Sequence, residues 1–174
     1  MKNGCSCRGY SAPILVLGLG NNASGDEALG SALLKELSKR YRYAGRFVEF
    51  LDGGTHGLDL LEQIAGRPAV VILDAVASDD KPGSVCVLED SEVLRYATGN
   101  APNVHVGDAR ELLATAAFLG DLPEHFYLVG VRPTNLHEGA ALSGAVQDAV
   151  ALAVTQAQSI VDRLLVEMAE PVEA

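Results

Sequence analysis

Two short stretches of this chain are apolar at every position, and each ends abruptly. Ile14-Leu15-Val16-Leu17 runs into Gly18, and Ala69-Val70-Val71-Ile72-Leu73 is closed by Asp74. A strand that carries apolar side chains on both sides has both faces covered, which is the signature of a parallel sheet sandwiched between helices. The intervening segments agree. Leu29, Ala32, Leu33 and Leu37 recur at helical spacing, as do Leu58, Leu61 and Ile64, and Leu112, Leu113, Ala116 and Leu119. Arg46 to Leu51 and Phe126 to Val131 read as further strands, and Ser84 to Leu88, after the Lys81-Pro82-Gly83 turn, as a hairpin-like return to the sheet edge. From Leu142 the apolar positions trace one long amphipathic final helix. Strands alternating with helices predict a single three-layer αβα domain, a mostly parallel twisted sheet of about five strands with helices on both faces.

At 174 residues the chain is long enough to bury one sizeable core without staples. Its formal net charge of −10 opposes nucleic acid and anionic membrane surfaces as partners. The cations at Lys35, Lys39, Arg40, Arg42 and Arg46 read as a solvated helix face. Three cysteines make no disulfide framework: Cys86 lies in an apolar run, and Cys5-Ser6-Cys7 lacks the spacing of a metal motif. The strictly apolar runs fall far short of the roughly 20 residues that span a bilayer. No charged start followed by an apolar core and cleavage site is present, so a reduced, cytoplasmic setting is expected; the chain is also expected to be a monomer.

In such sheets ligands bind beyond the carboxyl ends of the strands, which directs attention to four loops. The first carries Asn21, Asp26 and Glu27; the second opens with Asp52-Gly53-Gly54-Thr55-His56; the third begins at Asp74; and His105 stands ahead of a helix that starts near Gly107. Each has a plainer role available. Ser24-Gly25-Asp26-Glu27 fits a capping box, in which Glu27 would only satisfy a backbone N–H. Asp52 before two glycines fits an Asx turn, Asp74 fits a cap, and His105 fits an exposed loop position. His56, His125 and His137 have no partner pattern and read as structural or surface residues.

Gly18-Leu19-Gly20-Asn21-Asn22-Ala23 also fits a dinucleotide fingerprint, with Asp52 in the place of the ribose-binding acid. Two features oppose that reading. Gly20 and Asp52 are 32 residues apart, where the fingerprint expects about 20. The helix also begins too late, near Asp26, and the Asp26-Glu27 pair at its mouth would repel a pyrophosphate.

Taken in order, Gly18-Leu19-Gly20-Asn21, Asp26-Glu27-Ala28-Leu29-Gly30, Asp52-Gly53-Gly54-Thr55, Asp74-Ala75, His105 and Val129-Gly130-Val131-Arg132-Pro133 resemble the hydrogenase maturation proteases. These endopeptidases trim the C-terminus of the nickel–iron hydrogenase large subunit. The resemblance runs from about Ile14 to Leu165. It implies a peptidase domain over 13–168, between a flexible tail at 1–12 and a frayed end at 169–174. It implies that Glu27, Asp74 and His105 form a metal-binding trio, and that Asp52 serves substrate recognition or cleavage, with Glu27 and Asp74 also contributing to catalysis. The partner implied is a large-subunit precursor, and the metal is the nickel that precursor carries, with Zn or Cd able to substitute. Two positions depart from the family pattern: Ala28 stands where glycine usually follows the acidic pair, and Asn103-Val104 where Ser-Pro commonly precedes the histidine.

The chemistry is coherent on its own terms. One imidazole and two carboxylates suit a borderline divalent ion, and three protein ligands leave positions open for a substrate. No Ser/His/Asp or Cys/His arrangement offers a covalent nucleophile, and the H-E-x-x-H pattern of a self-sufficient zinc protease is absent from the sequence. The resemblance implies an endopeptidase, with a non-catalytic maturation chaperone on the same trio as the alternative and a nucleotide-binding protein less favoured.

Overall fold

Five strands, β1 (Ile14–Leu19), β2 (Val48–Gly54), β3 (Ala69–Ala75), β4 (Val85–Glu89) and β5 (His125–Val131), form one sheet in the order β2-β1-β3-β5-β4. The computed structural model describes residues 12–42, 44–99, 109–134 and 141–169. β1, β2, β3 and β5 pair in parallel, and β4 lies antiparallel to β5 at one edge. The two runs that opened the sequence reading are the inner strands β1 and β3, apolar on both sides because both sides are buried.

Alternation of side chains divides the core into two layers. On one face Ile14, Val16, Val71, Leu73, Val129 and Val131 pack under α1 (Leu29–Ser38) and α5 (Gly144–Ala169). On the other, Leu15, Leu17, Val70, Ile72 and Leu128 pack under α2 (Leu61–Ile64), α3 (Ser91–Thr98) and α4 (Ala109–Leu119). Each fully buried Leu or Ile contributes about 1.5–3 kcal/mol of burial free energy. The three-layer αβα architecture is thus as the sequence implied. α5 has the length and apolar composition to cross a membrane, but Val146, Ala153, Ala157, Val161 and Leu164 face the sheet core.

Two elements differ from the sequence reading. β4 lies at the sheet edge as expected, but it forms no hairpin with β3. The turn at Gly83 carries the chain past β5 instead, with the Gly83 N–H donating to the Arg132 carbonyl and the Arg132 N–H to the Ser84 carbonyl, both at 2.9 Å. α3 has no counterpart in the sequence pattern, because only Val93 and Ala97 of its eight residues are buried. The tail expected at 1–12 lies outside the described residues except for Ala12, which is buried and whose carbonyl accepts from Arg67 at 2.8 Å. Residues 170–174, and with them most of the expected frayed end, also lie outside.

The order of strands creates the site's location. From β1 the chain goes to β2 on one side, while β3 takes the other side of β1, so the loops leaving β1 and β3 diverge at their carboxyl ends. Glycine lets α1 start directly against those ends. A Cβ on Gly30 would lie 2.0 Å from the Leu19 carbonyl oxygen and 2.6 Å from that of Leu73. Only a residue without a side chain fits there.

Candidate functional site

Glu27 sits in a 3-10 turn, Gly25–Ala28, between β1 and α1. Gly20 makes the turn feasible: its φ is +122°, and a Cβ there would fall 1.9 Å from the Glu27 carbonyl oxygen. The capping box suggested by Ser24 and Glu27 does not form. The Ser24 hydroxyl accepts from the Asn21 amide at 3.0 Å, and the Glu27 N–H goes to the Ser24 carbonyl at 2.8 Å. Among the described residues the half-buried Glu27 carboxylate accepts no hydrogen bond, leaving its oxygens available to a ligand. The turn itself packs against β3.

Asp26, beside it, does the opposite work. It is fully buried, and its carboxylate accepts the Thr134 N–H at 2.6 Å, the Ser143 N–H at 2.6 Å and the Ser143 hydroxyl at 2.9 Å. One anion thereby ties the Glu27 turn to the exit of β5 and the entry of α5. The sequence reading assigned Asp26 no role. The signal available was the adjacent acidic pair itself, since a buried member of such a pair must have its oxygens satisfied.

Asp74, the penultimate residue of β3, lies on the α4 side of the sheet and is 5% exposed. Its Oδ1 accepts the Ala75 N–H at 2.7 Å and its Oδ2 the Ala109 N–H at 3.1 Å. Ala109 is the first residue of α4, so Asp74 does cap a helix, but one 35 positions along the chain. These backbone donors orient the carboxylate at the strand end.

Asp52 pairs with Gly18 in the sheet and stands on the other side of it, toward α1. The exposed carboxylate accepts the Ser31 hydroxyl at 2.9 Å on Oδ1 and 2.8 Å on Oδ2, the Gly54 N–H at 3.2 Å and the Asn22 amide at 3.4 Å. The Gly54 bond is the Asx turn that Asp52-Gly53-Gly54 suggested. β1 separates β2 from β3, so Asp52 and Asp74 sit on strands roughly 10 Å apart, two strand spacings. They therefore do not share a ligand as a carboxylate pair.

His105, the third member of the expected trio, lies outside the described residues, four positions before Ala109, as does His137. Among the described residues no three His, Cys, Asp or Glu side chains form a metal-holding group. Glu27 and Asp74 supply two hard oxygen donors on elements that pack together, and an imidazole would complete a set suited to a borderline divalent cation. His125 is exposed, with its Nδ1 3.4 Å from an oxygen of Asp90, and His56 is exposed, both as the sequence suggested. Burial pushes the Cys86 thiol upward, which keeps it protonated and unsuited to nucleophilic attack. The fingerprint rival fares poorly too: the α-helix begins only at Leu29, behind the buried Asp26.

Comparison with known proteins converges on one group. Residues 32–160 match a family described as hydrogenase maturation protease. The Hydrogenase 2 maturation protease of Escherichia coli K12 is 37% identical over 144 residues, 82% of this chain and 87% of that protein. The hydrogenase expression/formation protein HupD of Thiocapsa roseopersicina is 34% identical over 145 residues, 83% of this chain but 65% of that protein's length. The structure of the hydrogenase maturating endopeptidase HybD from E. coli superposes with a TM-score of 0.72 at 33% identity, covering 86% of this chain and 92% of that one.

Proposed function

Because the chain belongs to the hydrogenase maturation protease family, we propose that it is an endopeptidase that removes the C-terminal extension of a nickel–iron hydrogenase large-subunit precursor after nickel insertion. The observation that carries the reading is the division of labour at the strand ends. Glu27, with no hydrogen bond among the described residues, and Asp74, oriented by two backbone donors, belong to elements that pack together, while Asp52 is held separately on the other side of the sheet.

In this account Glu27, Asp74 and His105 complete the coordination of the nickel that the precursor brings. The ion then orients the nearby scissile bond and polarises its carbonyl. Asp52 acts on the substrate rather than on the ion. Two carboxylates and one imidazole, with no second histidine or thiolate, hold a divalent ion only modestly, so the free enzyme carries little metal, and Zn or Cd can take the place of nickel in binding experiments. Cleavage is gated by metallation, because an empty precursor gives the trio nothing to grasp.

Incubating the protein with a metallated precursor and following the product by mass tests the activity. A product shortened at its C-terminus is expected. A precursor that binds and is never cut would contradict the peptidase reading and favour a non-catalytic maturation chaperone.

A further inference from the structure

An Asx turn needs only the bond from the Gly54 N–H to the Asp52 carboxylate. The structure adds two side chains from two other segments. Ser31, in the first turn of α1, reaches both Asp52 oxygens at 2.9 and 2.8 Å, and Asn22, in the loop after β1, reaches Oδ2 at 3.4 Å. Asp52 is exposed, and exposed polar contacts of this kind add little to folding stability. Stability therefore does not account for three donors converging on one solvent-facing anion. Their effect is geometric: an exposed aspartate otherwise samples several rotamers, and here backbone on one side and the α1 hydroxyl on the other hold the carboxylate in one place. The placement of Ser31 follows from the close approach of its neighbour Gly30, whose missing side chain seats α1 on the strand ends.

We propose that Ser31 is a positioning residue for Asp52, assisted by Asn22, fixing the carboxylate in the orientation in which it meets the substrate. This rests on the assignment of Asp52 to the substrate. A hydroxyl that pre-orients a reacting or recognising group raises the rate without touching the substrate itself.

The test is a double-mutant cycle on precursor processing, with thermal melts of every variant. Ser31→Ala is expected to lower processing about tenfold, the effect of one hydrogen bond to a charged group, with an unchanged melting temperature. Ser31→Thr, which keeps the hydroxyl, is expected to restore most of it, and Asn22→Ala to cost less than Ser31→Ala. In an Asp52→Asn background Ser31→Ala is expected to have no further effect, because it acts only through Asp52. Wild-type processing by Ser31→Ala beside an impaired Asp52→Asn would overturn the positioning role and leave the Asp52 assignment standing. An equal loss from Ser31→Ala in both backgrounds would also overturn it. Full activity of Asp52→Asn would remove the assignment on which the proposal rests.

Discussion

Asp74, at the end of β3, accepts the backbone N–H of Ala109, the first residue of α4, at 3.1 Å. The bond joins the strand that carries one proposed ligand to the helix that immediately follows the segment carrying another, His105. It also places a negative charge at a helix N-terminus, where the macrodipole favours it. A single carboxylate thus has a structural and a proposed chemical role, and the two make separate demands on a substitution.

Asp74→Ala leaves the Ala75 and Ala109 N–H groups without their acceptor in a buried setting. The expected cost is about 1–3 kcal/mol of stability, together with loss of divalent-ion binding. Denaturant unfolding and a calorimetric titration measure the two effects. Unaltered stability would contradict the capping role, and unaltered binding of Ni, Zn or Cd by the folded variant would contradict the ligand role.

His105→Ala separates the same two effects from the other side. It is expected to weaken binding of Ni, Zn or Cd while leaving the apo melting temperature nearly unchanged. A structural histidine behaves in the opposite way, losing stability with no effect on metal. Equal titration curves for wild type and variant would exclude His105 from the site.

Asp52→Asn is isosteric and can keep the Asx turn through its side-chain oxygen. Processing is expected to fall by at least about 100-fold, with metal affinity nearly intact, because the side chain lies on the far side of the sheet from Asp74. Undiminished processing would make Asp52 a turn residue and nothing more.

Gly30→Ala tests the seating of α1. The added methyl would sit 2.0 Å from the Leu19 carbonyl oxygen and 2.6 Å from that of Leu73. Both are backbone atoms of inner strands, with no soft side chain to yield. A loss on the order of 3 kcal/mol is expected, and a melting temperature equal to that of wild type would show that the helix can shift without penalty.

The sequence disclosed most readily what is set by periodicity. Ile14-Leu15-Val16-Leu17 and Ala69-Val70-Val71-Ile72-Leu73 announced the two inner strands, because burial on both faces leaves no polar position. The polar residues that closed them, Asp74 above all, were conspicuous for the same reason. What stayed hidden depends on tertiary partners. Whether β4 pairs with β3 or passes to β5 is decided by the backbone bonds of Gly83 and Ser84 with Arg132, which have no local pattern. The burial of Asp26 rather than Glu27 is decided by Thr134 and Ser143, more than a hundred residues away. The Ser31–Asp52 bond is a contact between a helix and a strand edge whose residue types look like ordinary surface.

The proposed gating by metal is the central claim, and metal-stripped enzyme assayed on two forms of one precursor tests it most directly. The enzyme is expected to shorten the nickel-loaded form and to leave the nickel-free form intact. A resident zinc that activates water would instead be held tightly by the enzyme alone, and stripping it would abolish cleavage of both forms. Cleavage of the nickel-free precursor by the stripped enzyme would contradict the account.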